Sequence, residues 1–318
     1  MTHGTGSVRH LPLLPAAAFV LVWSSGYISG PAAVHAAAPF TVLGWRFVLA
    51  ALIGAGLALA MRRPTRMDRA TVGRVALVGL VMNGLQFGLM YVAFDLGLGA
   101  TLASLFHALS PVLTAILAAG LLGERVSVLQ VAGFAVGVVG VLLVLGSDLG
   151  HAGGPVAVLI GCLSMLTLSL GTLGQRWIGA QPDLLWSAAV QFAVSAPPML
   201  VLGWATEGPW PVTDTSQAVV SVLLLAVVNS IVGLVLLSLL VLRGGSGAAA
   251  SLFFLSPPVT AVMAWLVLDE TLTATQLVGL VVAVVGVGAA TRTRPVTVPV
   301  PPTGDEHHAG SSRAEHPR

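Results

Sequence analysis

Ser110-Pro111-Val112-Leu113-Thr114-Ala115, carried through Gly123-Glu124-Arg125 to Ser127-Val128-Leu129-Gln130 and Gly133, is a passage that the chain contains twice. Its second version runs Ser256-Pro257-Pro258-Val259-Thr260-Ala261, then Asp269-Glu270-Thr271, Thr273-Ala274-Thr275-Gln276 and Gly279. The offset is 146 residues throughout (257 less 111, 270 less 124, 276 less 130), and no gap is needed. Gly140 and Gly286 agree at that offset, and so do Asn83 and Asn229. Leu and Val agree by chance in any apolar sequence, so the polar, Pro and Gly matches carry the argument. They point to a duplicated half.

Composition sets the solvent. Hydrophobic residues make up 56% of the 318 and charged residues 8%, with a mean hydropathy of +0.95. A soluble surface needs roughly a quarter of charged residues, so this chain belongs in lipid. Cys162 is the single cysteine, which excludes an internal disulfide framework. All 14 Lys and Arg positions are arginine, and apart from Arg46 they are scattered over loops and tails rather than gathered on one face, which argues against nucleic acid as a partner.

Ten apolar runs follow one another. Residues 1–10 read as a short polar tail. The first run covers about 11–28. An arginine before it and Ala36-Ala37-Ala38 after it also fit a secretory signal, but the run is long enough to span a bilayer. The later spans are expected at Phe40–Met61, Gly73–Phe94, Gly99–Leu122, Val128–Gly146, Pro155–Gln175, Leu184–Ala205, Ala218–Leu242, Gly247–Leu268 and Ala274–Thr291. None alternates as a barrel strand would, so the expected class is an all-α integral membrane protein. Residues 292–318 are rich in Pro, Ser, His and charge and read as a disordered tail. Ser127-x-x-Gln130 and Thr273-x-x-Gln276 fit capping boxes that start the last helix of each half. Those helices carry Gly133, Gly137 and Gly140, and Gly279, Ala283 and Gly286, a spacing that lets two helices approach closely.

Arginine gives the orientation. With the N-terminus inside, the inner segments hold Arg9, the group from Arg62 to Arg74, Arg125, Arg176, Arg243 and the tail arginines, and the outer loops hold none. Five spans per half (11–146 and 155–291) force the second half upside down. The Glu124-Arg125 loop then lies inside and its counterpart at Asp269-Glu270 outside, where the arginine has gone. Two inverted five-helix repeats are a carrier architecture with a binding site near the midplane. Both chain ends are expected on the cytoplasmic side of the inner (plasma) membrane.

Polar groups deep in lipid need partners, water or cargo. The third span brings Asn83, Gln86 and Met90 to one face with Tyr91 beside them. Asn229 is the matching group in the eighth, His107 and Ser110 lie in the fourth, Ser256 in the ninth, and Arg46 in the second. The candidate substrate-binding set is therefore Arg46, Asn83, Gln86, Tyr91, His107, Ser110, Asn229 and Ser256. Arg46 fits a cargo carboxylate, and equally an outward snorkel or a pair with Asp95. His107 fits a proton carrier, a hydrogen-bond donor to cargo, or a core histidine bonded to a neighbouring helix. Pro111 and Pro257, read as mid-helix, each free a backbone carbonyl and are candidate kinks for gating. Glu124 and Glu270 read as helix-end contacts.

Ser-Pro-x-x-Thr-Ala with Gly-Glu-Arg and Gln-x-x-Gly, together with Trp23-Ser24-Ser25-Gly26 and Arg46-Phe47, resembles the EamA repeat of the drug/metabolite transporter superfamily. The likeness covers about 11–291 and is weak in the sixth and seventh spans, where Pro15/Pro155 and Ser24/Ser164 match at an offset of 140 instead. It implies a ten-helix inner-membrane carrier that exports small metabolites, amino acids or toxic compounds, in contact with membrane lipid and needing no cofactor or metal. Two rivals are weighed against it. An integral-membrane enzyme needs a nucleophile, metal cluster or paired acids facing one cavity, and a channel needs a continuous polar lining. The sequence supplies neither. Cargo, direction, coupling and a homodimeric state stay open.

Overall fold

The computed structural model describes residues 12–146, 153–178, 182–208, 211–244 and 252–291. The tails expected at 1–10 and 292–318, and the start of the ninth span at Gly247, lie outside these residues. Ten helices occur among them: α1 Leu13–Ala36, α2 Pro39–Ala60, α3 Arg69–Asp95, α4 Ala100–Leu122, α5 Val128–Leu145, α6 Gly154–Trp177, α7 Leu184–Glu207, α8 215–244, α9 Leu252–Leu268 and α10 Ala274–Thr291. All but α9 are long and apolar enough to cross a membrane within the described residues. Large apolar side chains stand exposed along them, such as Leu52, Leu142, Trp204, Leu266 and Val281, which is the surface a lipid-facing protein presents.

The first helix is longer than the apolar run suggested, because it continues through Pro31 to Ala36. A proline inside a membrane helix is tolerated where neighbouring groups re-satisfy the freed backbone. Pro111 lies inside a continuous α4, as expected. Pro257 does not sit mid-helix in the same way. A 3-10 turn, Leu252–Leu255, precedes it, and Pro257 falls in the first turn of the α-helical part that begins at Ser256. Two adjacent prolines remove two amide donors, so the helix restarts at the doublet rather than bending through it.

Both capping boxes form. Gln130 N donates to Ser127 Oγ (3.1 Å) and Ser127 N to Gln130 Oε1 (2.8 Å). Thr273 N donates to Gln276 Oε1 (2.8 Å) and Gln276 N to Thr273 Oγ1 (3.3 Å). Gly123 and Asp269, equivalent by the repeat, end α4 and α9 in the left-handed region at φ 69° and 54°. Aspartate is one of the few side chains that visits that region readily, which explains how the second half dispenses with glycine there. Outside the spans, Asp68 caps α3 by accepting from Thr71 N at 2.8 Å, and hydrogen bonding from the Thr71 side chain and then its amide holds the carboxyl below the usual carboxylate value.

The halves are inverted. Glu270, just past the end of α9, accepts from Ala100 N and Thr101 N at the start of α4 (3.0 and 3.2 Å), so these equivalent helices run in opposite directions. The same holds for α5 and α10. A Cβ on Gly133 would meet Gly286 O at 2.6 Å, and one on Gly279 would meet Gly140 O at 2.7 Å, which makes the pair antiparallel with glycine against backbone. The halves also interlock. Ser24 of α1 bonds Ser256 of α9 (3.1 Å), and Ser169 of α6 bonds Ser110 of α4 (3.1 Å). The first helix of each half thus packs on the fourth helix of the other.

Candidate functional site

The backbone loosens at two equivalent places. Leu80–Leu85 in α3 and Leu224–Val232 in α8 are π-helical, and they contain Asn83 and Asn229. A π turn inserts a residue, widens the helix and is found mostly at functional sites. Here the two turns face a cavity of about 350 Å³ between the halves, at the lower end of the volumes that hold small molecules.

Six of the eight expected residues line it: Arg46, Asn83, Gln86, Tyr91, His107 and Asn229. Ser110 and Ser256 are not brought there. Their hydroxyls are used in the α4–α6 and α1–α9 contacts already described, so they hold helices together away from the cavity. Several lining residues carried no signal that set them apart in the sequence. Phe87 and Phe192 look like any apolar residue in a span, Tyr27 is one aromatic among many, and Gln175 lies at the end of its span.

Arg46 is 5% exposed. Its guanidinium carbon lies 4.3 Å from the centre of the Phe87 ring. Nη1 donates to Tyr91 Oη (3.2 Å) and Nη2 to Ser230 Oγ (3.5 Å), while Nε is buried without a partner. The ion pairs among the described residues are Arg63–Asp183 and Arg176–Glu124, and neither reaches Arg46. The cation therefore neither snorkels outward nor pairs with Asp95. It is a charge enclosed with aromatic rings and hydroxyls, and among the described residues no carboxylate answers it.

His107 ties four helices. Its Nδ1 lies 2.9 Å from Tyr27 Oη of α1, and its Nε2 lies 3.1 Å from Gln86 Nε2 of α3 and 3.3 Å from Ser164 Oγ of α6. Ser164 Oγ donates to Gln86 O (2.9 Å), so Gln86 and His107 are held as one unit. Asn229 Nδ2 donates to Val22 O (2.6 Å), and the amide fits because residue 26 is glycine: a Cβ there would lie 2.9 Å from Nδ2.

A chain of amides forms the opposite wall. Asn83 Nδ2 and Gln175 Nε2 both donate to Gln191 Oε1 (3.4 and 3.3 Å), and Gln191 Nε2 donates to Ser187 Oγ (3.2 Å). Glycines bring the three helices close enough. A Cβ on Gly79 would lie 2.6 Å from Gln191 Cα, and one on Gly171 would lie 2.6 Å from Met82 Cβ. Beyond the amides the cavity reaches Pro182 and Leu184, next to Asp183 and its partner Arg63. No group of three or more metal-ligating side chains occurs among the described residues.

Ten apolar helices in two inverted halves around a shared cavity, mostly apolar with a few polar groups, define a membrane transporter of the carrier type. The chain belongs to the EamA-like transporter family, which matches residues 11–146 and 155–292. It is similar to the protein named "Uncharacterized transporter YvbV" of Bacillus subtilis, at 28% identity over 84% of this chain and 87% of that one. It is equally similar to the protein named "Probable amino-acid metabolite efflux pump" of Escherichia coli, at 28% identity over 84% of this chain and 90% of that one. One crystal structure superposes with a TM-score of 0.62 at 20% identity, covering 87% of this chain and 95% of its own, which bears on the fold alone.

Proposed function

We propose that the protein exports amino-acid-type metabolites across the plasma (inner) membrane by alternating access of the two halves, with both chain ends in the cytoplasm. The observation that carries this is Arg46. A buried guanidinium costs free energy unless an anion answers it, and a cargo carboxylate is the anion a metabolite would bring. Arg offers a planar fork that matches a carboxylate in two parallel bonds. The name of the E. coli relative supports the same cargo class.

The arginine asymmetry supports the orientation. The cavity extends toward the arginine-bearing connections, and at the other end Glu207 and Glu270 close the loops against the starts of α2 and α4. That is the shape of a carrier resting open to the cytoplasm, ready to load cargo for export. The closed outer end disfavours a channel.

Purified protein in proteoliposomes tests the reading by counterflow: unlabelled amino acid inside, labelled amino acid outside. Carrier-type exchange predicts transient accumulation of label, which a channel cannot produce. Arg46→Gln should lower it about tenfold or more, as expected for losing a charge-assisted bond, and Arg46→Lys should retain part of it. Accumulation of label by the Arg46→Gln variant at the parent rate would sink the assignment.

A further inference from the structure

The amide wall made by Asn83, Gln175 and Gln191 has more structure than a solvated cluster needs. Met82 Sδ lies 3.3 Å from Gln175 Nε2. A thioether sulfur accepts hydrogen bonds and never donates them. The face of the Gln175 amide toward Met82 is therefore its NH2, and this fixes every other group in the chain. The same NH2 donates to Gln191, so Gln191 presents Oε1. Asn83 also meets that oxygen and so presents Nδ2. Gln191 Nε2 is turned to Ser187.

Three amides joined this way keep two carbonyl oxygens in reserve. Both Gln175 amide hydrogens are engaged, by Gln191 and Met82. Asn83 Oδ1 and Gln175 Oε1 accept no hydrogen bond from the described residues, although both residues line the cavity. Asn83 Nδ2 and Gln191 Nε2 each keep a second hydrogen, but the two free oxygens carry two lone pairs apiece, so acceptance outweighs donation. An ammonium group carries donors only, in a compact charge, and is the natural complement.

The second end of the ruler is Arg46. Along α3, Asn83, Phe87 and Tyr91 stand one turn apart. The guanidinium rests on Phe87 and bonds Tyr91, one to two turns from Asn83, which is roughly 6–12 Å at the helical rise. A carboxylate and an ammonium on one carbon, with a hydrogen bond of about 3 Å at each end, bridge that interval.

Resting on the amino-acid reading above, we propose that Asn83, Gln175 and Gln191 form the subsite for the cargo ammonium, so that the carrier selects α-zwitterions by reading both charged ends. Neutral amides suit the task better than an acidic side chain. A carboxylate in this cavity would pair with Arg46 and neutralise the anion site, whereas amide dipoles hold the ammonium and leave the arginine for the carboxylate.

The test begins with counterflow of a panel of labelled amino acids by the parent protein. If none is exchanged, the amino-acid reading fails and this inference falls with it. With the best-exchanged member as label, three competitors are compared: that amino acid, its N-acetyl derivative and its methyl ester. In the parent protein, loss of either charged end should weaken competition about tenfold or more. In Gln175→Met, and in Gln175→Leu combined with Gln191→Leu, the N-acetyl penalty should shrink to under about threefold while the ester penalty stays. The single variant keeps Gln191 in place should the double one fail to fold. Exchange by the parent together with an N-acetyl derivative that competes as well as the amino acid, or a full N-acetyl penalty retained by Gln175→Met, overturns the subsite and leaves the amino-acid reading standing.

Discussion

His107 shows how one side chain links the cavity to the helices around it. The Gln86 amide NH2 faces Nε2 and can only donate, so Nε2 accepts and Nδ1 carries the proton toward Tyr27 Oη. With Nδ1 engaged by α1 and Nε2 by α3, the imidazole acts first as a bracket. His107→Ala should lower counterflow about tenfold and melting stability by roughly 1–3 kcal/mol, since two groups, Tyr27 Oη and Gln86 Nε2, lose a partner. Tyr27→Phe should cost less, because one bond is lost and the ring remains. Rates in proteoliposomes and melting in detergent check both; parent-like values for His107→Ala would contradict the bracket. Why the sequence revealed much of this site is also clear at this scale. Deep polar residues are costly in lipid, so Arg46, Asn83, Gln86, His107 and Asn229 stand out against Leu and Val. Ser110 and Ser256 stand out in the same way yet serve helix contacts, because a hydroxyl looks alike whether it meets a neighbour or a cargo. The amide chain was harder to see. Gln191 lies within the apolar span 184–205, but its partners come from α3 and α6, and no spacing within one helix predicts a meeting of three.

Among the elements, α5 and α10 make the tightest pairing; the glycine spacing in both halves announced a close approach, though not that these two helices are each other's partner. The packing explains it. A Cβ on Gly133 would meet Ala290 Cβ and Gly286 O at 2.6 Å, and one on Gly286 would meet Gly137 N at 2.7 Å. Gly133→Val or Gly286→Val should therefore destabilise the protein by about 1–3 kcal/mol through forced separation of the helices. Gly56 and Gly120 have nothing within 4 Å of an added Cβ. Gly56→Ala and Gly120→Ala should be neutral or stabilising by up to about 1 kcal/mol, since alanine is the better helix former. Melting temperatures in one detergent compare the two sets, and equal losses in both would mean that the stripe is not the close contact. The π turns in α3 and α8 were not legible, although Asn83 and Asn229 matched at the repeat offset. A π turn costs little in sequence pattern: one extra residue shifts the face without altering composition, and an apolar helix offers no clear amphipathic phase from which to notice the shift.

At the scale of the molecule, the end without arginines is closed by contacts that join the two halves. Glu207 at the end of α7 accepts from Phe40 N (2.6 Å), Thr41 N (2.9 Å) and Thr41 Oγ1 (2.8 Å) at the start of α2. Glu270 does the same for Ala100 and Thr101 at the start of α4. Each carboxylate meets orphan amides at the positive end of a helix, where a negative charge is most useful. Thr213 N donates to Ala36 O (2.8 Å) between the same pair of loops. In an alternating-access cycle this closed end must open, so these bonds are broken once per turnover. Charge-assisted bonds of this kind contribute about 1.5–3 kcal/mol each, and about 1.4 kcal/mol shifts a two-state population tenfold. Glu207→Ala with Glu270→Ala should accordingly move the resting population toward the outward-open state by tenfold or more. The readout is a cysteine at Ala188, a cavity-lining position, in a Cys162→Ser background, labelled by a membrane-impermeant thiol reagent added outside. Labelling should quicken in the double variant and slow again when saturating cargo inside the vesicles favours the inward-open state. Labelling at the parent rate in the double variant, with the protein still folded, would show that the two carboxylates fasten helix starts without governing access.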